Sequence, residues 1–180
     1  MACQPGVQQR LAKLPQTCSD LRYGTRTMAV SIEPFEPLEI LTADGQVLCG
    51  RLFRPPAEPK GAVLVAPAMG VPQKFYAAFA AWLARQELLA ATFDYRGSGL
   101  SRQGSLRGFD ADIFDWARLD CAAMLEMLAA AAPGQPLFWV GHSLGGQIFP
   151  FVPNRTRVAK MVMVATGSGY WRENTRAYAA

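Results

Sequence analysis

From residue 37 onward, apolar and polar positions fall into short blocks that switch between two periods. Residues 38–42, the turn signal Ala43-Asp44-Gly45 and residues 46–54 read as an antiparallel hairpin, ended by Pro55-Pro56. Residues 61–67 are a continuous apolar run, the pattern of a strand buried on both faces. After a loop with Gly70 and Pro72, Phe75, Phe79 and Leu83 recur every four residues through 74–86, which predicts an amphipathic helix with those three as its apolar stripe. A strand over 88–94 follows, then a glycine-rich loop. A helix over 110–131 comes next, with Asp110 and Asp112 at its positive start and Pro133-Gly134 as its stop. Residues 136–141 form a strand, the segment after Ser143 a helix, and residues 158–165 another strand. Pro150 falls inside the helix after Ser143, where the lost hydrogen bond and ring clash cost roughly 3 kcal/mol, so that helix is predicted short or kinked. Strands alternating with helices give an α/β fold, a mainly parallel sheet covered on both faces.

Length and composition narrow this further. With 180 residues, 51% hydrophobic and 18% charged, the chain suffices for one domain with a core. Of its net charge of +4, residues 1–27 carry +3, since Arg10, Lys13, Arg22 and Arg26 there face only Asp20. The remainder is nearly balanced and has no basic stripe, so no nucleic-acid partner is expected. The polar segment before Met28, broken by Pro5, Pro15 and Gly24, has no pattern that would pack. Residues 1–35 therefore read as a loosely packed or disordered leader and residues 36–180 as the folded unit. A start site placed too far upstream accounts for the leader with less machinery than a transit peptide. Four irregularly spaced cysteines and one histidine offer no zinc-type ligand set, so no metal is expected. Cys49 and Cys121 fall in apolar segments as small core residues. The chain reads as reduced and cytoplasmic, and no run approaches the roughly 18 apolar residues of a membrane span.

Gly141-His142-Ser143-Leu144-Gly145 matches G-x-S-x-G and lies after an apolar strand and before a helix, where a nucleophile elbow has to lie. The turn must be so tight that the flanking positions tolerate no side chain, which is what glycine on both sides provides. Ser143 would then project from the carboxyl end of the sheet, where open α/β sheets bind ligands. The unpaired N–H groups of a helix start favour negative charge developing on a bound carbonyl oxygen. An ordinary glycine-rich turn with an incidental serine is the plain alternative, and the placement between strand and helix weighs against it. A second motif, Asp94-Tyr95-Arg96-Gly97-Ser98-Gly99-Leu100-Ser101, follows the strand at 88–94. It is not a phosphate loop, because the Walker lysine and the G-x-G-x-x-G spacing are both missing.

Together GHSLGG and DYRGSGLS, on this order of strands and helices, resemble the α/β-hydrolase superfamily over about residues 36–172, nearest the bacterial hydrolases of serine-aminopeptidase or monoacylglycerol-lipase type. The resemblance implies a serine hydrolase that attacks an ester or amide carbonyl with Ser143 and needs no cofactor. It implies a structural part for the D-x-R-G loop, so Asp94 and Arg96 are assigned no catalytic role. It also implies an oxyanion hole made by the backbone N–H of Leu144, after the nucleophile, and one N–H from the loop after the third strand. Pro67-Ala68-Met69-Gly70 stands where relatives often carry a His-Gly pair. The matching donor is then the N–H of Met69, with Gly70 or Ala68 the nearest alternatives.

The general base is the difficulty. A serine is a weak nucleophile until a base takes its proton, and the resemblance implies a histidine after the last strand, oriented by an acid after an earlier one. The only histidine here is His142, and consecutive side chains at a tight turn point apart, so it should pack against the sheet as a structural residue. Six strands are readable where the family's sheet has eight. Glu173, Asp120 and Glu126 read as solvated positions. Losing the base in an unrelated serine protease costs about a millionfold in turnover, so this chain alone is expected to be inactive or nearly so. Residues 158–165, apolar enough for a sheet interior, would form an exposed edge open to pairing with another chain. The rival readings are a non-catalytic binding or interaction module on the same scaffold and a truncated gene product. Tyr170 and Trp171 are candidates to line a substrate pocket or simply to pack, and the substrate itself is not legible.

Overall fold

A computed structural model describes residues 34–168 and 170. The expected leader, all but its last two residues, lies outside the described residues, as do Trp171 and Glu173. The last leader residue, Phe35, packs on Phe53, with the Arg51 guanidinium over its ring.

Six strands form one sheet in the order β1-β2-β4-β3-β5-β6. They are β1 (Glu36–Leu41), β2 (Val47–Phe53), β3 (Ala62–Ala66), β4 (Leu89–Phe93), β5 (Leu137–His142) and β6 (Val158–Val164). β2 runs antiparallel to β1 and β4, and the β4-β3-β5-β6 block is parallel. This is the α/β-hydrolase fold that the order of strands and helices implied.

Every residue of β3 and β4 is buried, which explains why both read as unbroken apolar runs. Their side chains still alternate between two cores. Ala62, Leu64 and Ala66 meet Trp139, Met124, Leu125 and Leu128 on one face, while Val63 and Val65 meet Tyr76, Ala80, Leu83 and Ala84 on the other.

The second face is covered by a 3-10 turn (Gln73–Tyr76) running into α1 (Ala77–Arg85). Here the expected stripe is corrected. Leu83 is buried, but Phe75 is 68% and Phe79 40% exposed, with Phe79 stacked on Trp82 outside. The segment is apolar nearly all round, and the helix turns Ala80, Ala81 and Ala84 inward because small side chains let it approach the sheet closely.

The first face is covered by one helix made of α2 (Ile113–Asp115), a π-helical stretch (Trp116–Cys121) and α3 (Ala122–Ala131). Asp112 caps it, its carboxylate accepting from the Phe114 and Asp115 N–H groups, while Asp115 returns the favour to the Asp112 N–H. After Ser143, α4 (Leu144–Gln147) lasts four residues before a 3-10 turn containing Pro150, as the proline predicted. Among the described residues Cys121 is a free and fully buried thiol, as the reduced reading expected, whereas Cys49 is buried but is not a free thiol, which departs from it. Among the described residues β6 pairs only with β5, and its Val162, Met163 and Val164 are about half exposed.

Candidate active site

The elbow is built by excluding side chains. A Cβ on Gly141 would lie 2.6 Å from the Gly145 carbonyl oxygen, and one on Gly145 would lie 2.2 Å from the Ala66 carbonyl oxygen. A Cβ on Gly146 would strike Thr166 at 2.2 Å. With all three absent, β5 reverses into α4 within one residue, and that residue carries the strain: Ser143 sits at φ 49°, ψ −112°. Few L-residues tolerate this region, and where they do the cost is of order 1–3 kcal/mol and clusters at functional sites.

The bend changes what the serine hydroxyl does. A serine at a helix N-cap ordinarily accepts a hydrogen bond from the first turn, yet Ser143 makes no such bond. Its backbone is held instead. The Ser143 N–H donates to the Val164 carbonyl at 2.9 Å, and the Ser143 carbonyl accepts from Gly146 N–H at 3.0 Å and from the Thr166 hydroxyl at 3.3 Å. Trp139 Nε1 donates to the Gly145 carbonyl at 3.0 Å, tying α4 to β5. Because α4 is so short, few peptide dipoles align behind its start. Any anion bound there would depend on individual N–H groups, not on a helix field.

Gly145 against Ala66 also sets the first turn of α4 beside the loop that leaves β3. That loop turns at Ala68-Met69-Gly70-Val71, closed by Val71 N–H to the Ala68 carbonyl at 3.2 Å, with Gly70 at φ +72°. Such a turn needs glycine at its third position. Leu144, first in α4, has an N–H with no acceptor within its helix. The Ala68 N–H is occupied: it donates to the Tyr76 hydroxyl at 2.9 Å. The same hydroxyl lies 2.9 Å from His142 Nδ1, and the two rings meet edge to face. His142 is thus partly buried and bonded towards the α1 layer.

The D-x-R-G loop is a scaffold. Asp94 accepts from Gln73 N–H at 2.7 Å, Gln73 Nε2 at 3.0 Å and Leu100 N–H at 2.9 Å, and Gly99 leaves no room for a side chain against it. Arg96 joins two carboxylates: its Nε donates to Asp120 at 2.7 Å, its backbone N–H to the same group at 2.9 Å, and its two terminal nitrogens to Asp44. Asp120 is 0% exposed, which corrects its reading as a solvated position. Burial pushes its carboxyl up to about 6 against the downward pull of the Arg96 bonds, whereas Arg96 holds the more exposed Asp44 down to about 2.

Tyr76, Gln73 and Thr166 went unnoticed in the sequence. Asp120 did carry a signal, since it sits three residues after Ala117 and four before Met124 on the buried stripe of its helix. Tyr170 is exposed. A hollow of about 620 Å³ between the β1–β2 hairpin and α3 includes none of the elbow residues. Among the described residues no group of acidic, histidine or cysteine side chains could hold a metal, and no helix is long and apolar enough to cross a membrane.

Residues 55–179 match the family model described as serine aminopeptidase, S33. Human monoglyceride lipase is 30% identical over 116 residues, which is 64% of this chain and 37% of that protein. This chain therefore spans little more than a third of the curated relatives it matches. Among solved structures, a soluble variant of monoglyceride lipase from Saccharomyces cerevisiae aligns with a TM-score of 0.60 at 21% identity, over 75% of this chain and 46% of that one. A serine hydrolase without a lid from Xanthomonas campestris aligns at 0.62 and 21% identity, over 76% and 63%. The fold, the glycine-walled bend at Ser143 and the match over residues 55–179 agree: the chain belongs to the serine aminopeptidase S33 family of α/β-hydrolases.

Proposed function

We propose that Ser143 is the nucleophile of a serine hydrolase acting on a carboxylic ester. The strained backbone of Ser143 carries the proposal, because a hydroxyl held out of its capping role by three glycine contacts has no structural use there. Monoglyceride lipases among the similar proteins favour an ester over an amide. In this reading the Ser143 oxygen attacks the carbonyl carbon as a base takes its proton, which is later returned to the departing alcohol, and the resulting oxyanion accepts hydrogen bonds from the backbone N–H groups of Leu144 and Met69. Collapse expels the alcohol, leaves Ser143 acylated, and water releases the acid through a second oxyanion. His142 is not the base in this reading, because a ring whose Nδ1 accepts the Tyr76 proton carries its own proton on Nε2 and has no free nitrogen to take one from Ser143. The 180 residues contain no other histidine, so turnover by this chain on its own stays near the buffer rate.

Fluorophosphonate labelling at pH 9, where hydroxide substitutes in part for a base, is the test. The chain is expected to label slowly at one site, and Ser143→Ala to abolish it. Equal labelling of the variant would sink the nucleophile assignment, and brisk ester turnover by the wild-type chain would sink the missing base.

The exposed face of β6 leads us to propose self-association through its edge, because strand groups left unpaired among the described residues, beside apolar side chains, recruit another strand. Sedimentation velocity should show concentration-dependent larger species for the wild type and a monomer for Val162→Lys. Two monomers would end that idea.

A further inference from the structure

Tyr76 does more than satisfy its own hydroxyl. One partner would suffice for that, but this hydroxyl holds two segments 8 and 66 residues away in sequence: the Ala68 N–H on the loop after β3 and His142 Nδ1 on the elbow. A phenol carries one proton. Its oxygen accepts from Ala68, and directing its one proton at His142 uses the hydroxyl fully and makes Nδ1 the unprotonated nitrogen of the ring. Tyr76 is itself buried on the 3-10 turn before α1, and burial holds its hydroxyl above the ordinary phenol range, partly countered by the Ala68 bond. It therefore stays a neutral donor. The two segments it joins are those that carry the proposed oxyanion donors, Met69 directly after Ala68 and Leu144 two residues after His142. With the Ala68 N–H consumed, Ala68 no longer competes with Met69 as the second donor.

We propose that Tyr76 is a positioning residue for the oxyanion hole: its hydroxyl locks the loop after β3 to the elbow, so that the Met69 and Leu144 N–H groups converge beside Ser143. The proposal rests on the serine-hydrolase reading above. A loop freed from this bond keeps its donors but loses their aim, so the effect falls short of the roughly hundredfold to thousandfold cost of deleting an oxyanion donor.

The single histidine makes the bond directly observable. In the neutral ring of the wild-type chain, nitrogen-15 spectra should show Nδ1 unprotonated and Nε2 carrying the proton, and Tyr76→Phe should release the ring into a mixture of tautomers. In the labelling assay, whose probe places a P=O oxygen in the hole, Tyr76→Phe should lower the limiting inactivation rate about tenfold with little change in the half-saturating probe concentration. A merely structural tyrosine would not produce that split. If Tyr76→Phe fails to fold, His142→Ala cuts the same bridge from its other end and should slow labelling in the same way. A proton on Nδ1 in the wild type, or labelling at the wild-type rate in a folded variant, overturns the proposal alone. A wild-type chain that does not label at all overturns the nucleophile reading and this proposal with it.

Discussion

Adding one methyl group at Gly145 is expected to leave the protein unfolded, or to lower its stability by more than about 3 kcal/mol, beyond the usual range for overpacking a core. The reason is what the methyl would meet. Its carbon would lie 2.2 Å from the Ala66 carbonyl oxygen and 2.7 Å from the carbonyl carbon, both main-chain atoms of β3, a strand held by β4 on one side and β5 on the other. A flexible side chain could swing aside, but a central strand cannot. Gly70→Ala is the control. Nothing lies within 4 Å of a Cβ there, but φ is +72°, so only the left-handed backbone opposes the methyl, at roughly 1–2 kcal/mol. Urea unfolding of both variants separates lack of space from lack of conformational freedom. A wild-type midpoint for Gly145→Ala would mean that α4 does not seat on β3 as described.

That contrast also shows why the elbow was legible before any coordinates. A turn that forbids side chains leaves its mark in residue types, and the mark is local. The buried strands were legible for a similar reason, since β3 and β4 are covered on both faces and leave no polar positions to confuse the pattern. Helix α1 was not. Residues 73–86 contain no acid and few polar groups, so periodicity ranked faces by side-chain size and chose Phe75 and Phe79. Close packing on the sheet favoured Ala80, Ala81 and Ala84 instead. The polar contacts behind the site were hidden for another reason. Arg96 reaches 24 residues forward to Asp120 and 52 back to Asp44, and Tyr76 reaches 66 forward to His142, distances at which no spacing rule operates.

Arg96→Ala is expected to cost about 3–5 kcal/mol at neutral pH, the range for breaking a buried ion pair by removing one partner. Asp120, 0% exposed, would be left with no cation beside it and would have to hold a buried charge or take up a proton, while Asp44, 40% exposed on its side chain, is screened by water and adds little. The pH dependence identifies which carboxylate matters. Burial raises Asp120 from 3.8 to about 6 in the folded protein. A carboxyl that binds its proton more tightly when folded contributes fully below its unfolded value, and that contribution drains away as pH rises through the folded one, here between roughly pH 4 and 6. Without Arg96 the folded value moves higher still, and the window extends past pH 6. Wild type and variant therefore titrate alike near pH 5 and diverge above 6, by up to about 1.4 kcal/mol per pH unit. Asp44 behaves oppositely. Held down to about 2, it stabilises above 3.8 and loses that only in more acid solution, so it adds a constant across this range. Urea unfolding at pH 5, 6, 7 and 8 reads the gap, and adding Asp120→Asn to Arg96→Ala should flatten it. A gap already flat in the single variant would mean that the guanidinium supports this loop by packing and hydrogen bonding, not by relieving a buried negative charge.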